Sequence, residues 1–157
     1  MKFANYYYIG GVDMKYERIL VAVDGSPVAE RAAVFAADIA ESLGAVMDLL
    51  YISCFPESTN EPLDEVSWLP DSVMRSTMRE AEEVFSHVRG LLPERALRYE
   101  HERSGVPAEE IIAFAKEKGD SIIVIGSHGL GPVSGLILGS VSQKVVEEAP
   151  CSVIVVK

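Results

Sequence analysis

Several features that define other classes of protein are scarce or absent in this sequence. There are two cysteines, Cys54 and Cys151, and no secretory signal precedes them, so a disulfide framework is not expected. No apolar run approaches the roughly 18 residues that a membrane-spanning helix needs. The N-terminus lacks the basic start, apolar middle and cleavage site of a secretory leader. We therefore expect a cytoplasmic protein that has no membrane association.

Basic residues are also few. Lys and Arg number 14 against 24 Asp and Glu, which gives a net charge of −10. An acidic protein repels a phosphate backbone, so nucleic acid is not an expected partner. A mononucleotide stays open, because backbone N–H groups and helix N-termini bind phosphate without many cations. The histidines His87, His101 and His128 have no metal-ligand spacing, and we expect His87 and His101 at the surface.

Common nucleotide and nucleophile motifs are missing as well. No GK[ST] triplet marks a P-loop, and no GxSxG marks a nucleophile elbow. The turn after the first predicted strand holds only Asp24, Gly25 and Ser26, too little for a dinucleotide fingerprint or an FMN phosphate loop. A phospho-receiver domain needs an aspartate after its third strand, where this chain has Arg103. These five classes are therefore not expected.

What the sequence does contain is a regular alternation of apolar strands and amphipathic helices. Its 157 residues suit one domain, with residues 1–13 as an appendage and residue 14 as an alternative start. The predicted strands cover 18–24, 47–53, 97–103, 120–126 and 151–156, and the predicted helices cover 27–43, 72–92, 107–118 and 140–148. This βα alternation predicts a single-domain α/β fold in three layers, with a parallel sheet between helices.

The helix periodicities also predict which side chains face the core. On the first helix the apolar face is formed by Val28, Ala32, Phe35, Ile39 and Leu43, and on the second by Met74, Met78, Ala81, Phe85 and Val88. The run of Glu80, Glu82 and Glu83 is read as a solvated face. The long connection over residues 54–71 is expected to be functional or mobile.

The segment from Gly126 to Ser142 is rich in glycine and joins a buried strand to a helix. Glycine allows close backbone approach, and the first helical turn offers free N–H donors, so the segment is a candidate phosphate site. A glycine-rich turn without a ligand is the alternative. Asp24 could bind a ribose or only its own turn. His128 could contact phosphate, act as an acid–base group, or be an exposed loop residue.

These residues resemble those of a known family. The pattern G-x2-G-x9-G-[S/T], here Gly126, Gly129, Gly139 and Ser140, resembles the ATP-binding signature of universal stress proteins. The opening ILVAVDGSPVAERA and the closing GSVSQKVVEEAPCSVIVVK are similar to the family's first and last blocks. The resemblance covers residues 14–157 and implies a Rossmann-like five-stranded parallel sheet of order 3-2-1-4-5.

The resemblance also implies a ligand and a set of binding residues. The ligand is ATP or AMP, with Mg²⁺ or Mn²⁺ left open as an accompanying ion. The implied residues contact phosphate, ribose or adenine, and Ser127 and His128 are included because they lie inside the glycine motif. The full set is Ala22, Val23, Asp24, Ile52, Gly126, Ser127, His128, Gly129, Gly139, Ser140, Val141 and Ser142. A homodimer paired through residues 152–156 is implied too, and that apolar edge would otherwise be exposed.

Two departures and two alternatives remain. Residues 1–13 have no counterpart in the family, and the stretch from Leu130 to Leu138 has no basic residue where relatives often carry one. That omission favours AMP or another adenine ligand over ATP. The expected function is nucleotide binding in a stress or regulatory role without fast turnover, and no residue is assigned as catalytic. A slow ATPase and a dimeric interaction module without a nucleotide role are the alternatives.

Overall fold

The computed structural model describes residues 7–9, 12–14, 16–53, 71–130 and 138–157. Within these ranges the strands are β1 (Tyr7–Ile9), β2 (Val12–Met14), β3 (Arg18–Ala22), β4 (Val46–Ser53), β5 (Arg98–Ser104), β6 (Ile122–Gly126) and β7 (Ser152–Val156). The helices are α1 (Pro27–Leu43), α2 (Asp71–Leu91), α3 (Pro107–Lys118) and α4 (Ser140–Glu148). In this part of the chain no helix is both long enough and apolar enough to cross a membrane.

Five parallel strands form the central sheet in the order β5-β4-β3-β6-β7. Counted from β3, this is the order 3-2-1-4-5, which confirms the predicted Rossmann-like α/β fold. The centre of β3 and the whole of β6 are buried, as expected for strands covered on both faces. Strand order reverses between β3 and β6, so a crevice opens at their carboxyl ends.

Two helices cover each face of the sheet and complete the three layers. One core lies under α1 and α2, and the other lies under α3 and α4. The predicted ends of α1 are confirmed, because Ser26 Oγ accepts a hydrogen bond from Ala29 N at 3.2 Å and Gly44 ends the helix with φ 63°. Val106 precedes α3 and makes no side-chain capping bond, also as predicted.

The buried face of α1 agrees with the prediction only at Ala32. It consists of small residues, namely Ala29, Ala32, Ala33, Ala36, Ala37 and Ala40. Phe35, which we expected in the core, is 43% exposed, and Ile39 and Leu43 pack only at its margin. The prediction gave too much weight to large apolar side chains. Alanines pack a helix closer to the sheet, and the larger side chains then lie at its sides.

The second helix agrees better with its prediction. Ala81, Phe85 and Val88 are buried against the sheet, as expected. The side chains of Met74 and Met78 lie outside the described residues, and so do Cys54 and the connection over residues 54–70.

Among the residues that are described, Cys151 is a free cysteine, and burial raises the pKa of its thiol.

A short antiparallel pair precedes the five-stranded sheet. Strands β1 and β2 pair Tyr7 with Met14 and Ile9 with Val12. Residues 1–13 were expected to be an appendage without a periodic pattern, and no strand was predicted there. The pair extends to Met14, so the expected boundary between residues 13 and 14 falls inside β2.

A buried polar cluster lies at the amino ends of the sheet strands. The Asp48 side chain is fully buried, and its carboxylate accepts hydrogen bonds from Arg18 at 2.5 and 2.6 Å. His101 Nε2 lies 2.7 Å from Asp48 Oδ1, and the His101 ring packs on Phe114 with centroids 4.8 Å apart. The expected surface position of His101 is therefore wrong. His101 lies in β5 on the face covered by α3, where a buried carboxylate needs a partner.

Asp120 completes this cluster and should make stability depend on pH. Burial and the neighbouring Asp48 carboxylate raise the pKa of Asp120 to about 7, although Arg18 Nε lies 3.8 Å away. The folded protein thus keeps a proton that the unfolded chain releases near a pH of about 4. The free energy of unfolding should therefore fall as pH rises from about 4 to about 7.

We expect Asp120→Asn to remove this dependence, because its neutral amide needs no proton beside Asp48. At pH 8 the variant should gain on the order of 2 kcal/mol in unfolding free energy over the unmodified protein. Urea denaturation at pH 5 and pH 8 measures the difference, with the exposed Asp38→Asn as control. An equally steep pH dependence in Asp120→Asn would show that another group is responsible.

Candidate functional site

A cleft of about 500 Å³ opens at the carboxyl ends of the central strands. Its volume suits a mononucleotide-sized ligand. Eleven of the twelve predicted site residues line it: Ala22, Val23, Asp24, Ile52, Gly126, His128, Gly129, Gly139, Ser140, Val141 and Ser142. Residues from four separate parts of the chain thus meet where the strand order reverses.

Ser127 is the predicted residue that does not line the cleft. It is buried, its backbone N–H donates to the Val156 carbonyl at 2.6 Å, and its Oγ lies 2.8 Å from His128 Nδ1. The hydroxyl therefore positions the histidine ring. His128 Nε2 is buried and has no hydrogen-bond partner within the described residues.

Two hydrogen bonds join the ends of the glycine-rich segment. Gly139 N donates to the Ser127 carbonyl at 2.8 Å, and Ser142 Oγ donates to the Gly126 carbonyl at 2.7 Å. Residues 131–137 between these ends lie outside the described part of the chain. The bonds fix the start of α4 directly against the end of β6, so the first turn of the helix borders the cleft.

Gly129 lies directly against the Asp24 carboxylate. A Cβ atom built on Gly129 would be 2.7 Å from Asp24 Oδ2, closer than side-chain atoms approach. The other oxygen, Oδ1, accepts a hydrogen bond from Ser26 N at 2.9 Å. Asp24 thus caps its own turn with one oxygen and presents the other to the cleft. The two readings of Asp24 from the sequence are compatible.

The first turn of α4 supplies backbone donors at the cleft. The N–H groups of Ser140, Val141 and Ser142 have no partner within the helix, since the first turn lies beyond its hydrogen-bond ladder. No acidic residue occupies this turn, so the positive end of the helix dipole is not offset there. The Ser142 hydroxyl is already engaged by Gly126, whereas Ser140 is exposed.

The cleft also has lining residues that the sequence did not predict. These are Ala29, Tyr51, Glu80, Pro107, Ile111, Ile125 and Leu130. Most are apolar and form walls that suit a flat aromatic ring. Tyr51 could have been predicted, because it precedes Ile52 in the same strand. In the structure its ring contacts that of Phe85 edge-on, with the ring centroids 6.4 Å apart. Glu80 could not, because its helix face reads as solvated.

The chain is similar to proteins of one known family along most of its length. Residues 15–157 match the Universal stress protein family. The chain belongs to the universal stress protein family. Among curated relatives, the universal stress protein YxiE of Bacillus subtilis is 30% identical over 147 residues, which are 90% of this chain and 99% of YxiE.

Solved structures of universal stress proteins share the fold. MJ0577 of Methanocaldococcus jannaschii aligns with a TM-score of 0.76 at 26% identity, over 90% of this chain and 96% of that one. A universal stress protein from Archaeoglobus fulgidus, solved in complex with dAMP, aligns with a TM-score of 0.62 at 27% identity. That alignment covers 90% of this chain and 98% of the other.

Proposed function

We propose that this universal stress protein binds an adenine nucleotide in the cleft between β3 and β6. The observation that carries the proposal is the meeting of Asp24 with Gly129 beside the first turn of α4. A carboxylate that can accept from ribose hydroxyls then lies next to backbone donors that can bind phosphate. A glycine-rich turn without a ligand would not need both features in one cleft.

The phosphate would lie at the start of α4. The N–H groups of Ser140 and Val141 and the exposed Ser140 hydroxyl can donate to it. His128 Nε2 is a further candidate donor, because burial without a partner is unfavourable for a polar nitrogen. Ser142 would act indirectly, because its hydroxyl holds the Gly126 carbonyl.

The nucleoside would lie along the ends of β3 and β4. Asp24 Oδ2 faces the cleft and would accept from the ribose. Ala22, Val23 and Ile52 offer apolar surface for adenine, and the Tyr51 ring adds a wall. The related Archaeoglobus fulgidus structure in complex with dAMP supports an adenine ligand of this size. We propose ATP, with Mg²⁺ or Mn²⁺ bound to its phosphates, as the alternative ligand. We also propose a regulatory role in the stress response without fast turnover, as expected for this family.

The homodimer also remains a prediction. Strand β7 is the outer strand next to β6, and its residues 153–156 are half-buried. An apolar outer strand with free backbone groups favours pairing with a second copy.

Calorimetric titration tests the proposed function. We expect AMP to bind, and GMP to bind at least about tenfold more weakly, because guanine carries more hydrogen-bonding groups than adenine and the mostly apolar lining would leave some of them unpaired. Mass spectrometry of small molecules released from denatured protein provides an independent check. Equal affinity for the two nucleotides would contradict adenine recognition, and no binding of either would contradict the assigned site.

A further inference from the structure

The walls of the cleft carry negative and not positive charge. Asp24 and Glu80 contribute carboxylates, and no Lys or Arg lines the cleft among the described residues. The described residues of the glycine-rich segment, 127–130 and 138–143, contain no Lys or Arg either. A highly charged phosphate chain would therefore meet few counterions at this site.

Among the described residues, the cations on adjoining elements do not line the cleft, and these include Arg79, the exposed neighbour of Glu80 in α2. Two of them pair with carboxylates elsewhere. Lys144 follows the first turn of α4, but its Nζ lies 2.9 Å from Glu109 Oε1. At the end of β5, Arg103 pairs with Glu110 and Glu117. The positive end of α4 remains, and it amounts to about half an elementary charge within one turn. That suits one phosphate group, and a second or third phosphate would meet no Lys or Arg in the described lining.

We infer that the cleft selects adenine nucleotides of low negative charge, monophosphates over triphosphates, and that Glu80 is a specificity-determining residue. The inference rests on the proposed function. Glu80 belongs to α2 and lines the same cleft as the first turn of α4. Each further phosphate adds negative charge without a cation to receive it, and it adds repulsion from the Glu80 carboxylate. Repulsion grows with the ligand's charge, so ATP loses more affinity than AMP.

Titration of AMP, ADP and ATP in metal-free buffer at low ionic strength tests this inference. We expect affinity to fall in that order. Glu80→Gln should raise ATP affinity about three- to tenfold more than AMP affinity, because it removes one carboxylate charge from the lining of the cleft. Glu94 is exposed and lies just after the C-terminal end of α2. Glu94→Gln changes the net charge by the same amount and should leave the ratio of AMP affinity to ATP affinity unchanged. Added salt should reduce the difference between AMP affinity and ATP affinity in the unmodified protein, because it screens the repulsion.

The outcomes distinguish charge selection by Glu80 from adenine-nucleotide binding itself. If ATP without metal binds as tightly as AMP, or if Glu80→Gln and Glu94→Gln shift the ratio equally, charge selection by Glu80 is wrong while adenine binding stands. If AMP, ADP and ATP all fail to bind, the proposed function is wrong and the inference with it. If AMP binds more tightly than ATP, and if of the two variants only Glu80→Gln reduces this difference in affinity, both adenine-nucleotide binding and charge selection by Glu80 are supported.

Discussion

Gly129→Ala is expected to lower AMP affinity by roughly 30-fold while the protein stays folded. The added Cβ would lie 2.7 Å from Asp24 Oδ2, so the carboxylate must move away from its place beside the cleft. Loss of a hydrogen bond to a charged group costs about 2 kcal/mol, which corresponds to the stated factor. Gly129 does not have a positive φ, so alanine suits its backbone. Calorimetry measures affinity, and thermal denaturation measures stability.

Gly90→Ala is the matched control for this prediction. It adds the same methyl group near the end of α2, where a Cβ meets nothing within 4 Å. It should leave AMP affinity unchanged and stabilise the helix by about 0.5 kcal/mol. If Gly129→Ala binds AMP as the unmodified protein does, Asp24 has no part in binding. If it unfolds instead, the glycine is required for the fold.

The second large effect concerns stability and the opposite end of the sheet. Asp48→Ala should lower the unfolding free energy by about 3 kcal/mol, because it leaves Arg18 and His101 without their buried partner. It should also lower the pKa of Asp120, because it removes the neighbouring carboxylate. The decline in stability between about pH 4 and pH 7 should therefore weaken. Urea denaturation across this pH range measures both effects.

Asp38→Ala, at an exposed position of α1, is the control for a lost carboxylate. It should change the unfolding free energy by less than about 0.5 kcal/mol. A similarly small change in Asp48→Ala would show that the polar cluster contributes little to stability. An unaltered pH profile would show that Asp48 and Asp120 are not coupled.

Much of the fold could be predicted because its signals are local. Apart from Arg18 at the start of β3, the runs at β3 and β6 are apolar, Ser26 and Pro27 mark the start of α1, and Gly44 marks its end. The glycine motif lies directly after β6, and the adjacency of β6 and β3 brings that point opposite Asp24. Strand order itself came from the family resemblance, since alternation of strands and helices does not determine which strands are neighbours.

What could not be predicted depends on contacts between distant elements. The outward position of Phe35 follows from the packing of alanines against the sheet. His101 reads as a surface residue until β5 lies beside β4 and brings it to Asp48. Glu80 reads as part of a solvated face, and it is indeed exposed, yet α2 places it at the cleft. None of these three positions has a signal in its own segment.

The central claim is that an adenine nucleotide binds where Asp24, Gly129 and the start of α4 meet. Titration of ¹⁵N-labelled protein with AMP, followed by amide chemical shifts, tests it most directly. We expect saturable shifts concentrated at Gly126, Gly129 and residues 139–142, with the amino end of the sheet unaffected. Shifts centred elsewhere, or no shifts at millimolar AMP, would contradict it.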